Sequence, residues 1–266
     1  MGLLGNLFGK NKTPEEKPEK TGPFVGFVLL DDASFDADAL LDYLREDWGI
    51  AVDGQALSDN GQVIVSHTDG MSWSVGLMAA PIPNGEAEQQ AQTNYQWPEA
   101  VEVTRAHKGH LLVAILPLGS KPPEAAILFA KVCSSCLKLP NATGLNTLGT
   151  VFEPEPYIQN TESAIKGGEF PIASVVFFGI YSRDGRHWSG YTYGLLPLGR
   201  QELEILDSGQ PAEEVYGLLI RVALYLITDN VTLKSGETLG YTAEQKLPIS
   251  LSDGVAVSGK TFKITF

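Results

Sequence analysis

An unbroken run of apolar and small residues, Phe24 to Leu30 (FVGFVLL), opens the folded part of the chain and has the length and make-up of a strand covered on both faces. The period then changes. In DDASFDADALLDYLREDWGI, Ala37, Leu40, Leu41 and Leu44 recur at helical spacing and Trp48 continues the stripe, with Ser34 or Asp36 placed to cap the start and Gly49 to end it. Gln62 to His67 and Trp73 to Ala80 read as a hairpin turning at Thr68-Asp69-Gly70, before Pro81 and Pro83 stop the second strand. Gly85 to Thr93 looks helical. Val101 to Ala106 and Leu111 to Leu116 are either a strand pair or a helix end followed by a strand. The second half repeats this grammar with a helix over Pro123 to Lys138, a strand over Gly144 to Phe152 and a short helix over Tyr157 to Lys166. Ser174 to Arg183 and His187 to Leu195 form a hairpin turning at Asp184-Gly185. Pro211 to Asp229 is the most hydrophobic helix, and strands near Leu239, near Leu247 and over Thr261 to Phe266 close the chain.

Each half thus contains a strand, a helix, a hairpin and another helix. Packed in the simplest way, this order makes an α+β fold of two ferredoxin-like βαββαβ units, with mostly antiparallel sheets and the helices on one side. The Asp-Gly hairpins argue against a purely parallel sheet, whose crossovers need helices where these turns fall. The expected units cover residues 22–118 and 119–266 and form one body; pattern leaves open whether they build two sheets or one. Ahead of them, Lys10 to Lys20 (KNKTPEEKPEK) intersperses charges with prolines, so residues 1–21 are expected to be a disordered tether with a short apolar tip. That tip is too short for a secretory signal and carries Asn6 where a myristoylation signal wants Ser or Thr; docking to a membrane or a partner is the role left to it.

Composition narrows the partners. Nineteen Lys and Arg against 32 Asp and Glu give a net charge of -13, a field that disfavours nucleic acid and anionic lipid and favours a basic protein. No apolar stretch approaches the roughly 18 residues of a membrane-spanning helix. Two cysteines cannot make a disulfide scaffold, which points to a reducing, cytoplasmic setting.

The soft metal ligands fall in one window, His107 and His110 at its start and Cys133 and Cys136 at its end. Such a set suits zinc in kind. The register argues otherwise: Phe129, Val132, Cys133, Cys136 and Leu137 make the apolar stripe of a helix, while Lys131, Ser134, Ser135 and Lys138 fall off it. Cys133 and Cys136 are therefore expected in the core, with no metal and no cofactor. A thioredoxin-like pair would need its first cysteine at a helix N-terminus, and Cys133 is near the other end. His107 and His110 flank Lys108-Gly109 before an apolar strand, where they bind backbone or form a binding element. Asn94 to Glu99 (NYQWPE) and Glu153 to Tyr157 (EPEPY) read as proline-marked, non-regular segments that carry Trp97, Glu99, Glu155 and Tyr157. Trp and Tyr offer large contact area at low entropy cost, so these segments are candidates for a partner-binding surface. Arg183 and Arg186 at the second hairpin clamp an anion or are simply solvated. There is no phosphate loop, no GxSxG elbow, no HExxH helix and no basic stripe for nucleic acid.

In order along the chain, MSWSVGLMAAPIPNGEAEQQAQTNYQWPEA, RAHKGHLLVAIL, TGLNTLGTVFEPEPYI, FFGIYSRDGRHWSGYTYGLLPLGRQELEIL and GETLGYTAEQKLPIS resemble the DUF4261 family of bacterial proteins, over roughly residues 70–252. The resemblance implies a cytoplasmic protein with no assigned enzyme activity, some of whose relatives occur beside toxin and secretion genes; it brings no catalytic residues. The expectation is a non-enzymatic protein that binds another protein, as an immunity or accessory factor for a bacterial toxin does. The alternative is a hydrolase-like enzyme using His107 or His110 with a nearby carboxylate.

Overall fold

The computed structural model describes residues 22–52, 58, 61–241 and 246–266. The expected tether and apolar tip, residues 1–21, lie outside the described residues.

Strand β1 (Phe24–Leu30) has apolar side chains on both faces and takes the interior of an antiparallel sheet. It pairs with β4 (Gly109–Leu116) on one side and β5 (Ala142–Thr147) on the other. β3 (Met71–Met78) and β2 (Val63–Thr68) continue beyond β4, and β6 (Thr150–Phe152) beyond β5. The order is β2-β3-β4-β1-β5-β6, antiparallel at every step. The first Asp-Gly turn is as read: Asp69 and Gly70 both take positive φ, 49° and 78°, which suits the twist of a tight hairpin.

Alternation along β1 decides where the helices go. Phe24, Val28 and Leu30 face the main core together with α1 (Ala37–Trp48) and α4 (Pro122–Leu137). Gly26 lets α4 approach closely, since a Cβ there would lie 3.0 Å from the Phe129 ring. Phe27 and Leu29 face the opposite way, against α2 (Glu86–Ala91) and α3 (Ala100–Ala106), whose Ala87, Ala91 and Ala100 form a small second core. Helices therefore cover both faces of this sheet, which corrects the expectation that they pack on one side. Short alanine-rich helices carry too weak an apolar period to announce the face they cover. The open alternative at Val101 to Ala106 resolves as a helix followed by a strand.

The second half departs further from the expected unit. After α5 (Pro154–Lys166) and the single turn α6 (Ile172–Val175), strands β7 (Phe177–Ser182), β8 (Trp188–Tyr193) and β9 (Glu202–Ser208) form a meander. Helix α7 (Ala212–Thr228) then crosses over to β10 (Thr238–Gly240), β11 (Lys246–Asp253) and β12 (Lys260–Ile264). β12 pairs with β9 in parallel, giving the order β10-β11-β12-β9-β8-β7. From β7 onward the chain is thus meander, helix, meander rather than a second βαββαβ unit, while β5 and β6, which fall in the expected second half, join the first sheet. There are two mostly antiparallel sheets, and the α+β class holds.

Strand β9 was hidden from pattern by Glu202 and Glu204, which read as solvated although they are 3% and 0% exposed. Glu202 accepts hydrogen bonds from the Thr192 hydroxyl (2.7 Å) and from the amides of Gly194, Leu195 and Leu196 (2.8, 2.9 and 3.2 Å). Glu204 accepts from the amides of Val255, Ala256 and Val257, from the Thr261 hydroxyl (3.0 Å) and from the Lys263 ammonium (2.7 Å). Each carboxylate so folds a loop over the outer face of the sheet, and full pairing makes its burial tolerable. On the other face Gly190 gives α7 its close approach, since a Cβ there would meet Leu219 at 2.8 Å.

One apolar cluster joins the two sheets, running from Phe24 and Phe129 through Tyr157 and Val176 to Val222 and Ile264. Helix α4 is wedged in its middle. Cys133 and Cys136 are fully buried there and free. Ser134 and Ser135, expected off the buried stripe, are buried as well, because α1, α5 and α6 close the sides of α4 that the sheet leaves open. The Trp48 indole donates to Ser135 Oγ at 3.1 Å. Among the described residues no helix is long and apolar enough to cross a membrane.

Candidate functional site

Where the two sheets meet, the NYQWPE segment, the end of β6, the start of α5, the α6–β7 junction and α7 surround a cavity of about 260 Å³. Asn94 shapes the first of these. Its Oδ1 accepts from the amides of Gln96 (2.9 Å) and Trp97 (3.2 Å), folding the chain back on itself, while Nδ2 donates to Val151 O (2.5 Å) and ties the turn to β6. The next residue ties it to the other sheet, since the Tyr95 hydroxyl donates to Phe178 O at 2.8 Å. Trp97 is thereby set against Gly144, where a Cβ would lie 3.4 Å from its ring, and is 9% exposed.

The opposite wall comes from the EPEPY segment, which is not irregular as expected but is the first turn of α5. Pro154 occupies its first position, where a missing N–H is harmless. One turn in, Tyr157 is 2% exposed and donates its hydroxyl to Ser174 O at 3.0 Å. Its ring meets Phe152 edge-on at 5.5 Å; Phe152 in turn meets Phe177 at 6.4 Å, and Phe178 meets Tyr216 at 5.8 Å. These edge-on pairs carry an aromatic lining across the boundary between the sheets.

The cavity has a dry floor and a wet rim. Trp97, Tyr157, Val176 and Phe178 are buried at its base, whereas Gln96, Glu153 and Asn160 are exposed at its mouth. Among the described residues, no hydrogen bond reaches the Trp97 indole N–H, the Glu153 carboxylate, the Asn160 amide or the Tyr216 hydroxyl. Burial pushes the Tyr95 phenol up to about 12, with Gln96 pulling the other way, and raises Tyr157 and Tyr216 also. The phenols are thus neutral donors near neutral pH, not bases.

Of the residues singled out in the sequence, Trp97 and Tyr157 meet in this cavity. Glu99 and Glu155 are exposed outside it, Glu155 accepting from Gln159 Nε2 at 2.5 Å. Arg183 and Arg186 lie exposed at the tip of the second hairpin, roughly 15 Å along β7 from Phe178 at the usual rise per strand residue. Arg183 stacks over Tyr181 with its guanidinium 5.8 Å from the ring centre.

His107 and His110 are buried and do not line the cavity. His107 bonds the Thr104 carbonyl through Nδ1 and accepts from the Ile82 amide (2.8 Å) through Nε2, which makes it the neutral Nδ1–H tautomer with both nitrogens engaged. His110 donates from Nδ1 to Ala80 O (2.9 Å), lies edge-on to Phe27, and is held below the ordinary histidine value by burial. Neither is hydrogen-bonded to a carboxylate among the described residues. Burial raises both cysteine thiols, and no group of three or more metal-ligating side chains occurs among the described residues.

Sequence reasoning missed Phe152, Glu153, Asn160, Phe177, Phe178 and Tyr216. They come from four elements, and only the EPEPY turn, with two prolines and an aromatic at a helix start, carried a local signal.

Residues 191–265 match the family model of DUF4261, a domain of unknown function. The match runs from the last half of β8 through β12, including both buried glutamates, and of the cavity lining takes in only Tyr216. It overlaps the resemblance stated above in its last part, residues 191–252. No match was found among curated proteins or among solved structures.

Proposed function

We propose that the protein is a non-enzymatic binding module for another protein, and that the cavity between its two sheets holds a single side chain of that partner. The observation that carries this reading is one cavity with a buried aromatic floor, around which four polar groups have no partner among the described residues. Size favours it too. About 260 Å³ is below the roughly 300–1,000 Å³ of pockets for cofactors and drug-sized ligands. The chemistry around the cavity supports binding over catalysis, since its phenols are neutral and both histidines lie elsewhere, tied to backbone. The net charge of -13 steers toward a basic partner, of which a bacterial toxin bound by an immunity or accessory factor is the specific instance.

The test is capture from native cells with the wild-type chain and with Ala173→Phe, a half-buried lining position where a larger ring fills the cavity. A partner retained by the wild type and lost from a variant with unchanged thermal stability is the expected result. Equal capture by both would refute the role of the cavity.

A further inference from the structure

The geometry points to an alkylammonium group, the end of a lysine side chain, as what the cavity takes; this rests on the proposed role of the cavity in recognition. Charge is the first reason. Glu153 stands at the mouth, and among the described residues no Lys or Arg lines the cavity to neutralise it. The rings are the second. Trp, Tyr and Phe faces carry negative quadrupoles that attract a cation close to them, and Trp97, Phe152, Tyr157, Phe178 and Tyr216 gather here around one space. A lysine side chain entering from the mouth leads with its ammonium, so the charged head meets the rings while the aliphatic stem lies along the lining behind it.

An anion fits poorly, although a helix start faces the cavity. Three amides at the start of α5 would be needed to cradle it, but Pro154 and Pro156 have no N–H and the Tyr157 amide already donates to Glu153 O at 3.3 Å. Only the Glu155 amide is left, between two carboxylates. The acceptors match an ammonium instead. It brings three donors, and the Glu153 carboxylate, the Asn160 amide oxygen and the Tyr216 hydroxyl are three acceptors without partners among the described residues.

The probes are n-butylammonium, 1-butanol and butanoate, titrated into 15N-labelled full-length protein while the Trp97 indole N–H is followed by NMR, with Trp97→Phe to assign the signal. Saturable movement of that signal by n-butylammonium is expected, with 1-butanol binding about fivefold more weakly and Glu153→Gln losing about threefold for the ammonium alone. Glu153 is exposed and caps α5 with its backbone only, so the variant should fold normally. Equal binding of 1-butanol, or tighter binding of butanoate, would overturn the ammonium assignment and leave the cavity as a recognition site. Failure of all three probes to move the Trp97 signal would overturn both.

Discussion

Glu202 and Glu204 are two residues apart on β9, both buried, yet their protonation is biased in opposite directions. At Glu202 burial dominates and holds the carboxyl above the ordinary 4.5, against the pull of Thr192 and the amides of residues 194–196. At Glu204 burial pushes the same way, but the Lys263 ammonium, the amides of Ala256 and Val255 and the Thr261 hydroxyl together outweigh it and the value is lowered. A raised native value means that the folded state holds the proton more tightly. The contribution of Glu202 is therefore full below the unfolded value and is lost as pH rises through the folded value. Glu204 is the reverse: its contribution is present above the unfolded value and is lost as pH falls through the folded one. Denaturant titrations across pH should show that Glu202→Gln removes a loss of stability on going from acid toward neutral pH, while Glu204→Gln removes a loss toward strong acid. At neutral pH Glu204→Gln should also cost about 3–5 kcal/mol, because Lys263 is left partly buried without its counter-charge. Identical pH profiles for the two variants would contradict this assignment. Neither residue was legible in the sequence, where a charged side chain reads as exposed unless its partners are known, and these partners include Thr261 and Lys263 on the last strand of the chain.

At the scale of elements, legibility follows locality. The Asp69-Gly70 turn, the cap from Asp36 on α1 and the apolar period of α7 are decided within a few residues, and all appear close to where the pattern puts them. What failed were decisions made by distant elements: the face taken by α2 and α3, the parallel seating of β12 on β9, and the closure of α4 on all sides. The candidate site divides the same way. Trp97 and Tyr157 stand out locally as large aromatics beside prolines, but that they share a cavity with Phe178 and Tyr216 depends on how two sheets meet. Helix α4 offers a direct check. With Cys133 and Cys136 enclosed and their thiols raised by burial, a thiol reagent should modify neither in the native protein near neutral pH and both after unfolding. Fast labelling of the native state would show that α4 is not enclosed.

For the molecule as a whole, the continuous core and the cavity are two views of one junction. The cluster that runs from β1 through α4 to α7 leaves no apolar break between the sheets, so denaturant unfolding should be a single transition with tryptophan fluorescence and far-ultraviolet dichroism coincident. Two separated transitions would mean that the halves are held together more loosely than the buried Tyr157 and Phe177 and the Tyr95–Phe178 hydrogen bond require. A junction that is rigid in this sense gives the cavity fixed walls, and preformed walls reduce the ordering cost of binding. The negative charge of the chain then acts at longer range, raising the encounter rate with a basic partner more than the final affinity. The most direct measurement places a photo-cross-linking residue, p-benzoylphenylalanine, at Asn160 on the cavity rim and separately at Arg186 on the distant hairpin, and irradiates native cells. A discrete cross-linked partner from position 160 and none from 186 is the expected result; cross-links from 186 with none from 160 would place the binding surface away from the cavity and refute its role.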